Sequence, residues 1–282
     1  MKAGALVCGQ VNRAFGGHGL SGYETDAKEA MQRGDYGTAI RALTAALDAD
    51  KQNITLYMSR GWAYFMRKDF DLASEDLTAV LFLEPDNLDA LRTRGDAYLH
   101  QGKTDDALQD YAEYINLAPN DPEAPYNRRA AAYAAQGNIP AAITDYGRAI
   151  ELATDDMGKL YFSRATLHYS QGDFRSVLQD CTKALDAGYH APEVYSARGS
   201  AYVQLGLPDE AIRDYSQAID YDRRDIMAYY NRGAVYYQSG HYAEAIDDFG
   251  IAIGLQPDDA TAYYARALAY AELNDYRNAR RD

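Results

Sequence analysis

Seven arginines recur along this chain, each followed at a fixed offset by an aspartate. Arg60, Arg94, Arg129, Arg164, Arg198, Arg232 and Arg266 stand 34 or 35 residues apart. Sixteen residues after each stand Asp76, Asp110, Asp145, Asp180, Asp214, Asp248 and Asp282. The chemistry open to such a set is ion pairing. A planar guanidinium can hold a carboxylate through two parallel hydrogen bonds while its stem packs against apolar neighbours. One register earlier both members are missing together, with Asp26 and Ala42 in their places. Joint presence and joint absence predict that the two side chains meet within one repeat. A row of cations for an acidic partner is the competing reading, and a matching aspartate in every repeat argues against it.

Other motifs promise less. Gly17 to Gly22, "GHGLSG", matches the spacing of a dinucleotide loop, but no strand precedes it and no βαβ unit follows. "DADKQN" at Asp48 begins like a calcium loop, yet lacks its glycine and places Ser59 where a bidentate glutamate is needed. His18, His100, His168, His190 and His241 show no metal-ligand spacing, and Cys8 and Cys181 are far apart. No Ser, His and Asp grouping stands outside positions that packing explains. The reading is therefore no catalytic residue, no metal, no cofactor and no enzyme.

The elements that position the ion pairs are legible as a period. Gly34, Lys68, Gly102, Gly137, Gly172, Gly206, Gly240 and Asn274 mark it at intervals of 34 or 35. Four places into each unit comes a large residue: Tyr57, Leu91, Tyr126, Tyr161, Tyr195, Tyr229 or Tyr263. Four later comes a small one (Gly61, Gly95, Ala130, Ala165, Gly199, Gly233, Ala267), and three further an aromatic, with His168 the exception. Offsets of three and four mark one helix face, and a small residue there admits a second helix closely. That second helix answers with Ala73, Ala107, Ala142, Ala211 and Ala245, each followed four later by a bulky residue. Pro85, Pro119 and Pro257 stand where it must stop.

This pattern resembles the tetratricopeptide repeat (TPR) family, W-x2-L-G-x2-Y, then A-x3-F, then P, across residues 20 to 282. The resemblance implies an all-α solenoid, a right-handed superhelix of stacked hairpins with a concave groove. Seven repeats are complete and an eighth is partial, starting near 20, 54, 88, 123, 158, 192, 226 and 260. Residues 1–19 read as a Gly-rich leader. The first repeat, with Ala30 in place of the aromatic, reads as a cap. The last, ending "NDYRNARRD", reads as a short charged cap or as the cut edge of a longer protein. The family usually has Leu where the arginines stand.

The bulk composition agrees. The 47% apolar fraction supports a packed core, and 26 Tyr against 7 Phe point to rings whose far ends stay near water. A net charge of −14 argues against nucleic acid. No apolar run approaches the length of a membrane span, the start lacks a full secretory h-region, and two unpaired thiols fit a reducing compartment, so the expected location is cytoplasmic.

With no catalysis expected, function falls to the concave face, which the resemblance assigns to first-helix positions two, five, six, nine, twelve and thirteen. These supply Met58, Trp62, Phe65 and Met66, then Arg92, then Asn127 and Arg128. Later repeats add Phe162 and Tyr169, then Tyr230, Asn231 and Tyr237, then Tyr264. Trp62, the single Trp, is a candidate anchor for a partner's apolar side chain, or a cover for the edge of the cap repeat. The carboxylate clamp of chaperone-tail binders is missing, as is the Asn ladder of repeat-bearing glycosyltransferases. The expected function is an adaptor that holds a peptide or helix of a partner protein. The rivals are a scaffold that self-associates through its terminal repeats and the repeat arm of a larger enzyme.

Overall fold

Apolar stripes at helical spacing, cut every seventeen or so residues by a turn, fold as hairpins. The computed structural model describes residues 22–121 and 125–282, all of them helix or short connection, with no strand among them. The hairpins are α1 (Gly22–Gln32) with α2 (Tyr36–Ala49), α3 (Ile54–Met66) with α4 (Phe70–Leu83), and α5 (Leu88–His100) with α6 (Thr104–Leu117). There follow α7 (Tyr126–Ala135) with α8 (Ile139–Leu152), α9 (Met157–Ser170) with α10 (Phe174–Asp186), and α11 (Pro192–Gln204) with α12 (Pro208–Tyr221). Last come α13 (Ile226–Gln238) with α14 (Tyr242–Leu255) and α15 (Ala260–Glu272) with the single turn α16 (Tyr276–Ala279). The expected repeat starts at Leu20 and Glu123, the leader 1–19 and the "GHGLSG" loop up to Ser21 lie outside the described residues. The helices divide between two compact units, with the boundary after Asp145.

Each hairpin turns on one residue in the left-handed region. The φ values are 75° at Gly34 and 74° at Gly102, and the same conformation is imposed on Lys68 (68°) and Asn274 (61°). A residue in that conformation ends a helix by turning its last N–H groups back onto the final carbonyls. Gly34 N donates to Met31 O at 3.0 Å and Asp35 N to Ala30 O at 2.9 Å. At four of the connections between repeats an Asn or Asp side chain caps the next helix. Asn53 and Asn87 accept from the backbone N–H of Leu56 and Ala90. The calcium-like stretch serves this purpose: Asp50 accepts from Gln52 N and from the Asn53 amide, and so orients the cap.

Within a hairpin the small residue of the first helix meets the bulky residue of the second. At Gly95 an added Cβ would lie 2.6 Å from the Tyr111 ring, too close for any side chain, and Tyr111 is fully buried there. In the first unit the apolar core runs through Met31, Leu43, Leu56, Leu77, Val80 and Leu91. In the second it runs through Val177, Cys181, Val194, Ala218 and Ala228, then through Phe249 and Ile253. First helices of successive hairpins touch, as in α3 with α5 and α11 with α13.

The arginines sit at the centre of this packing. Arg60 donates from Nε and Nη2 to the two carboxylate oxygens of Asp76, each at 2.8 Å. The same side-on pair forms at Arg94–Asp110, Arg129–Asp145, Arg164–Asp180, Arg198–Asp214, Arg232–Asp248 and Arg266–Asp282, between 2.6 and 2.8 Å. The pairing expected within one repeat is what forms. Ring faces of the fourth and eleventh residues flank the guanidinium in three of the repeats, as Tyr57 (5.8 Å) and Tyr64 (5.9 Å) do around Arg60, and a single ring lies against it in the others. Tyr229 and Tyr236 repeat the arrangement around Arg232.

The third nitrogen reaches backwards. Arg60 Nη1 donates to Thr44 Oγ1, Arg94 to Thr78, Arg198 to Thr182 and Arg232 to Ser216, at 2.8 to 3.2 Å. These hydroxyls lie sixteen residues before the arginine, on the second helix of the preceding hairpin. The group therefore links three helices. At the equivalent place, two residues after the preceding aspartate, the other three registers carry Ala112, Gly147 and Gly250, the first two seventeen residues before their arginine.

Two outcomes follow from this geometry. Asp110→Ala strands a guanidinium whose side chain is only 18% exposed, and should cost about 3 kcal/mol or more. Replacing both partners, Arg94→Leu with Asp110→Ala, should cost less than the single change; denaturant titrations of the three variants check this. Gly250→Thr, whose Cβ would stand 3.6 Å from Arg266 Nη1 inside α14, should raise stability by about 1 kcal/mol through the missing hydroxyl bond and better helix propensity. A melt unchanged or lowered by Gly250→Thr would contradict the bridging role.

Candidate peptide-binding groove

The first unit places Met58, Trp62 and Arg92 around one cleft of about 230 Å³. Its apolar wall is Met31 from the end of α1 with Ile54, Thr55, Met58 and Trp62 from α3; its polar wall is Glu84, Asn87, Asp89, Arg92 and Thr93. Helical spacing sets the first wall, since Ile54, Met58 and Trp62 fall one turn apart on α3. The second wall is set by the capping loop, where Asn87 caps α5 and donates through its amide to Glu84 at 2.9 Å.

Trp62 has two attachments. Its indole packs on the buried cluster of Ala27, Ala30 and Met31, edge-on to Tyr36 at 5.9 Å, and it also lines the cleft. Contact with the cap repeat and a place in the cleft wall thus fall on one residue. Arg92 forms an ion pair with Asp89, and its side chain is 12% exposed, so it forms wall rather than free cation. Ser59, next to Met58 in the chain, is fully buried.

The remaining candidates of this unit lie elsewhere. Phe65 is half-buried, 5.4 Å from Phe70 across the hairpin turn and 5.8 Å from His100, which itself stacks on Phe70 at 4.3 Å. Met66 is half-buried beside it in the chain. Arg128 donates to Asp96, and Tyr111 Oη donates to the same carboxylate at 2.6 Å. Burial pushes the Tyr111 hydroxyl up, with the Asp96 charge beside it adding to the effect. Asn127 is exposed, its side-chain oxygen accepting from Arg128 N at 2.9 Å.

In the second unit the candidates are aromatic and engaged with their own hairpins. Tyr169 meets Phe174, and Tyr237 meets Tyr242, each at 5.5 Å across a turn. Tyr230 packs on Phe249 and Phe162 lies near Tyr189. Tyr237 Oη donates to Glu272 at 3.4 Å, and its hydroxyl is raised by burial and by that carboxylate. Asn231 is half-buried, and Tyr264, 67% exposed, is the most open of the set. The Cys181 thiol is fully buried, pushed up to about 12 by loss of water, and so is a poor nucleophile. Among the described residues no three His, Cys, Asp or Glu side chains converge as a metal site.

The cleft residues that the sequence did not single out are Met31, Ile54, Thr55, Glu84, Asn87 and Thr93. Glu84 and Asn87 belong to an inter-repeat loop, and a search confined to first helices passes over it. Their shared four-residue stretch, E-P-D-N, signals a turn and a cap, which is the available clue.

Comparison with known proteins agrees with this architecture. A family model described as Tetratricopeptide repeat matches residues 25–73, 67–125 and 127–188, and one described as TPR repeat matches 199–240 and 235–274. No curated protein matches. Among solved structures, the C-terminal part of a TPR repeat-containing protein from Cytophaga hutchinsonii superposes with a TM-score of 0.74 at 18% identity, covering 85% of this chain and 97% of that one. A tetratricopeptide repeat protein from Parabacteroides merdae gives 0.60 at 20% identity, covering 88% and 97%. The Cut9–Hcn1 hetero-tetramer of the APC/C gives 0.57 at 16%, covering 95% of this chain and 52% of that one. Among the described residues no helix is long and apolar enough to cross a membrane. With family models over most of its length and the matching hairpins in place, the chain belongs to the tetratricopeptide repeat family.

Proposed function

We propose that the chain is a non-catalytic interaction module that holds an extended or helical segment of a partner protein, with the Trp62 cleft as its anchor point. The observation that carries this is the cleft itself. A volume of about 230 Å³ is below the usual range for small-molecule sites but suits one large side chain. Trp, Met and Arg, which line it, are the residue types that dominate interface energetics or adapt to varied apolar partners. Family membership supports the same reading, since repeats of this kind serve protein association; Cut9–Hcn1 is itself a complex.

Two substitutions and a control test it. Thr55 is exposed at the mouth, so Thr55→Trp should fill the cleft and abolish partner capture from a cell extract while leaving the melt within a few degrees. Phe82→Ala, at an 85% exposed site outside the cleft, serves as the control that retains capture. Trp62→Ala should weaken binding by about 2 kcal/mol and also lower stability by about 2 kcal/mol, because the indole serves both surfaces. Capture that survives Thr55→Trp undiminished would rule out this cleft as the anchor.

A further inference from the structure

The chemistry of the cleft's two walls specifies what fits between them. On the apolar side Ile54, Met58 and Trp62 can receive one unbranched or γ-branched aliphatic side chain. On the other side the charges do not cancel. Arg92 is folded into the wall against Asp89, whose side chain keeps 43% of its exposure. Glu84 is exposed, and the group bonded to it is the neutral Asn87 amide rather than a cation. The rim therefore offers carboxylate oxygens to a ligand while its guanidinium is turned inward. The chain as a whole, at −14, adds a long-range field of the same sign.

We infer that the segment taken by this cleft carries an aliphatic side chain immediately followed by lysine or arginine, the aliphatic group seated on Met58 and Trp62 and the cation at Glu84. The inference rests on the reading of the cleft as an anchor, and it adds the sign of the partner's charge. An acidic segment meets Glu84 and Asp89 as like charges, and a purely apolar one leaves the Glu84 side unused. Complementary charge of this kind sets specificity and encounter rate more than total affinity.

Trp62 is the single tryptophan of the chain, so its fluorescence reports the occupancy of the cleft directly. The full chain is titrated with three acetylated, amidated heptapeptides: Gly-Ser-Leu-Lys-Lys-Ser-Gly, its Glu-Glu counterpart, and a version with Gly replacing Leu. The Leu-Lys-Lys peptide should bind roughly five-fold tighter than the Leu-Glu-Glu peptide, the upper range for a half-screened charge pair, and the advantage should shrink in high salt. The version lacking Leu should bind more weakly than either. Glu84→Gln should remove most of the preference, and Glu84→Lys should reverse it. Equal affinity for the Lys and Glu peptides, both with a Trp62 response, overturns the charge assignment but leaves the anchor reading standing. No Trp62 response to any peptide at millimolar concentration overturns both. A Trp62 signal that changes with protein concentration alone would mean that a second copy fills the cleft, and the inference would fall.

Discussion

A guanidinium has two faces and an edge with three separated donor directions, and at Arg60 and Arg232 this fold uses all of them at once. Nε and Nη2 hold the aspartate of the hairpin's own second helix, and Nη1 holds a hydroxyl on the previous hairpin. The faces lie against two tyrosine rings. A leucine at this site, usual in the family, contributes apolar contact without direction, and two helices packed on leucine can slide along one another. The arginine allows one register between three helices. Desolvation offsets much of its attraction, so specificity is a better account of it than stability.

Composition follows from that arrangement. Tyrosine outnumbers phenylalanine because a ring beside a guanidinium must present an electron-rich face inward and can keep its hydroxyl near water at the edge. Phenylalanine supplies the face but leaves the outer end apolar. His168 shows the limit of the rule. It replaces the eleventh-place aromatic and stands 3.8 Å from both Asp173 and Asp180, so the imidazole faces carboxylates where a ring face would otherwise cover the arginine. The seven paired aspartates, six of them buried, are matched by seven arginines, and the chain's excess acidity therefore belongs to the remaining carboxylates.

Period, hairpin turn and ion pair were legible because each depends on residues at constant sequence spacing. Gly34 and its equivalents mark a backbone conformation, and the sixteen-residue offset marks two helices facing one another. The bridge to Thr44, Thr78, Thr182 and Ser216 has the same offset in the opposite direction. It was missed because a search for charge does not see a hydroxyl, and because Ala112, Gly147 and Gly250 break the series. Phe65, Tyr169 and Tyr237 read as groove residues from first-helix geometry alone. Their contacts with Phe70, Phe174 and Tyr242 cross a left-handed turn, and helical periodicity carries no information across such a turn.

The same contrast explains why the cleft is found at Trp62. In the third hairpin the ninth position is Asp96, and Arg128 from the next first helix reaches across to it while Tyr111 donates from below. Polar groups there satisfy one another. One hairpin earlier the ninth position is Trp62, too large to be covered and held upright by Met31 and Tyr36. Arg92, the residue that could reach across, is drawn aside by Asp89. An apolar wall is then left facing a polar one across a cleft of about 230 Å³.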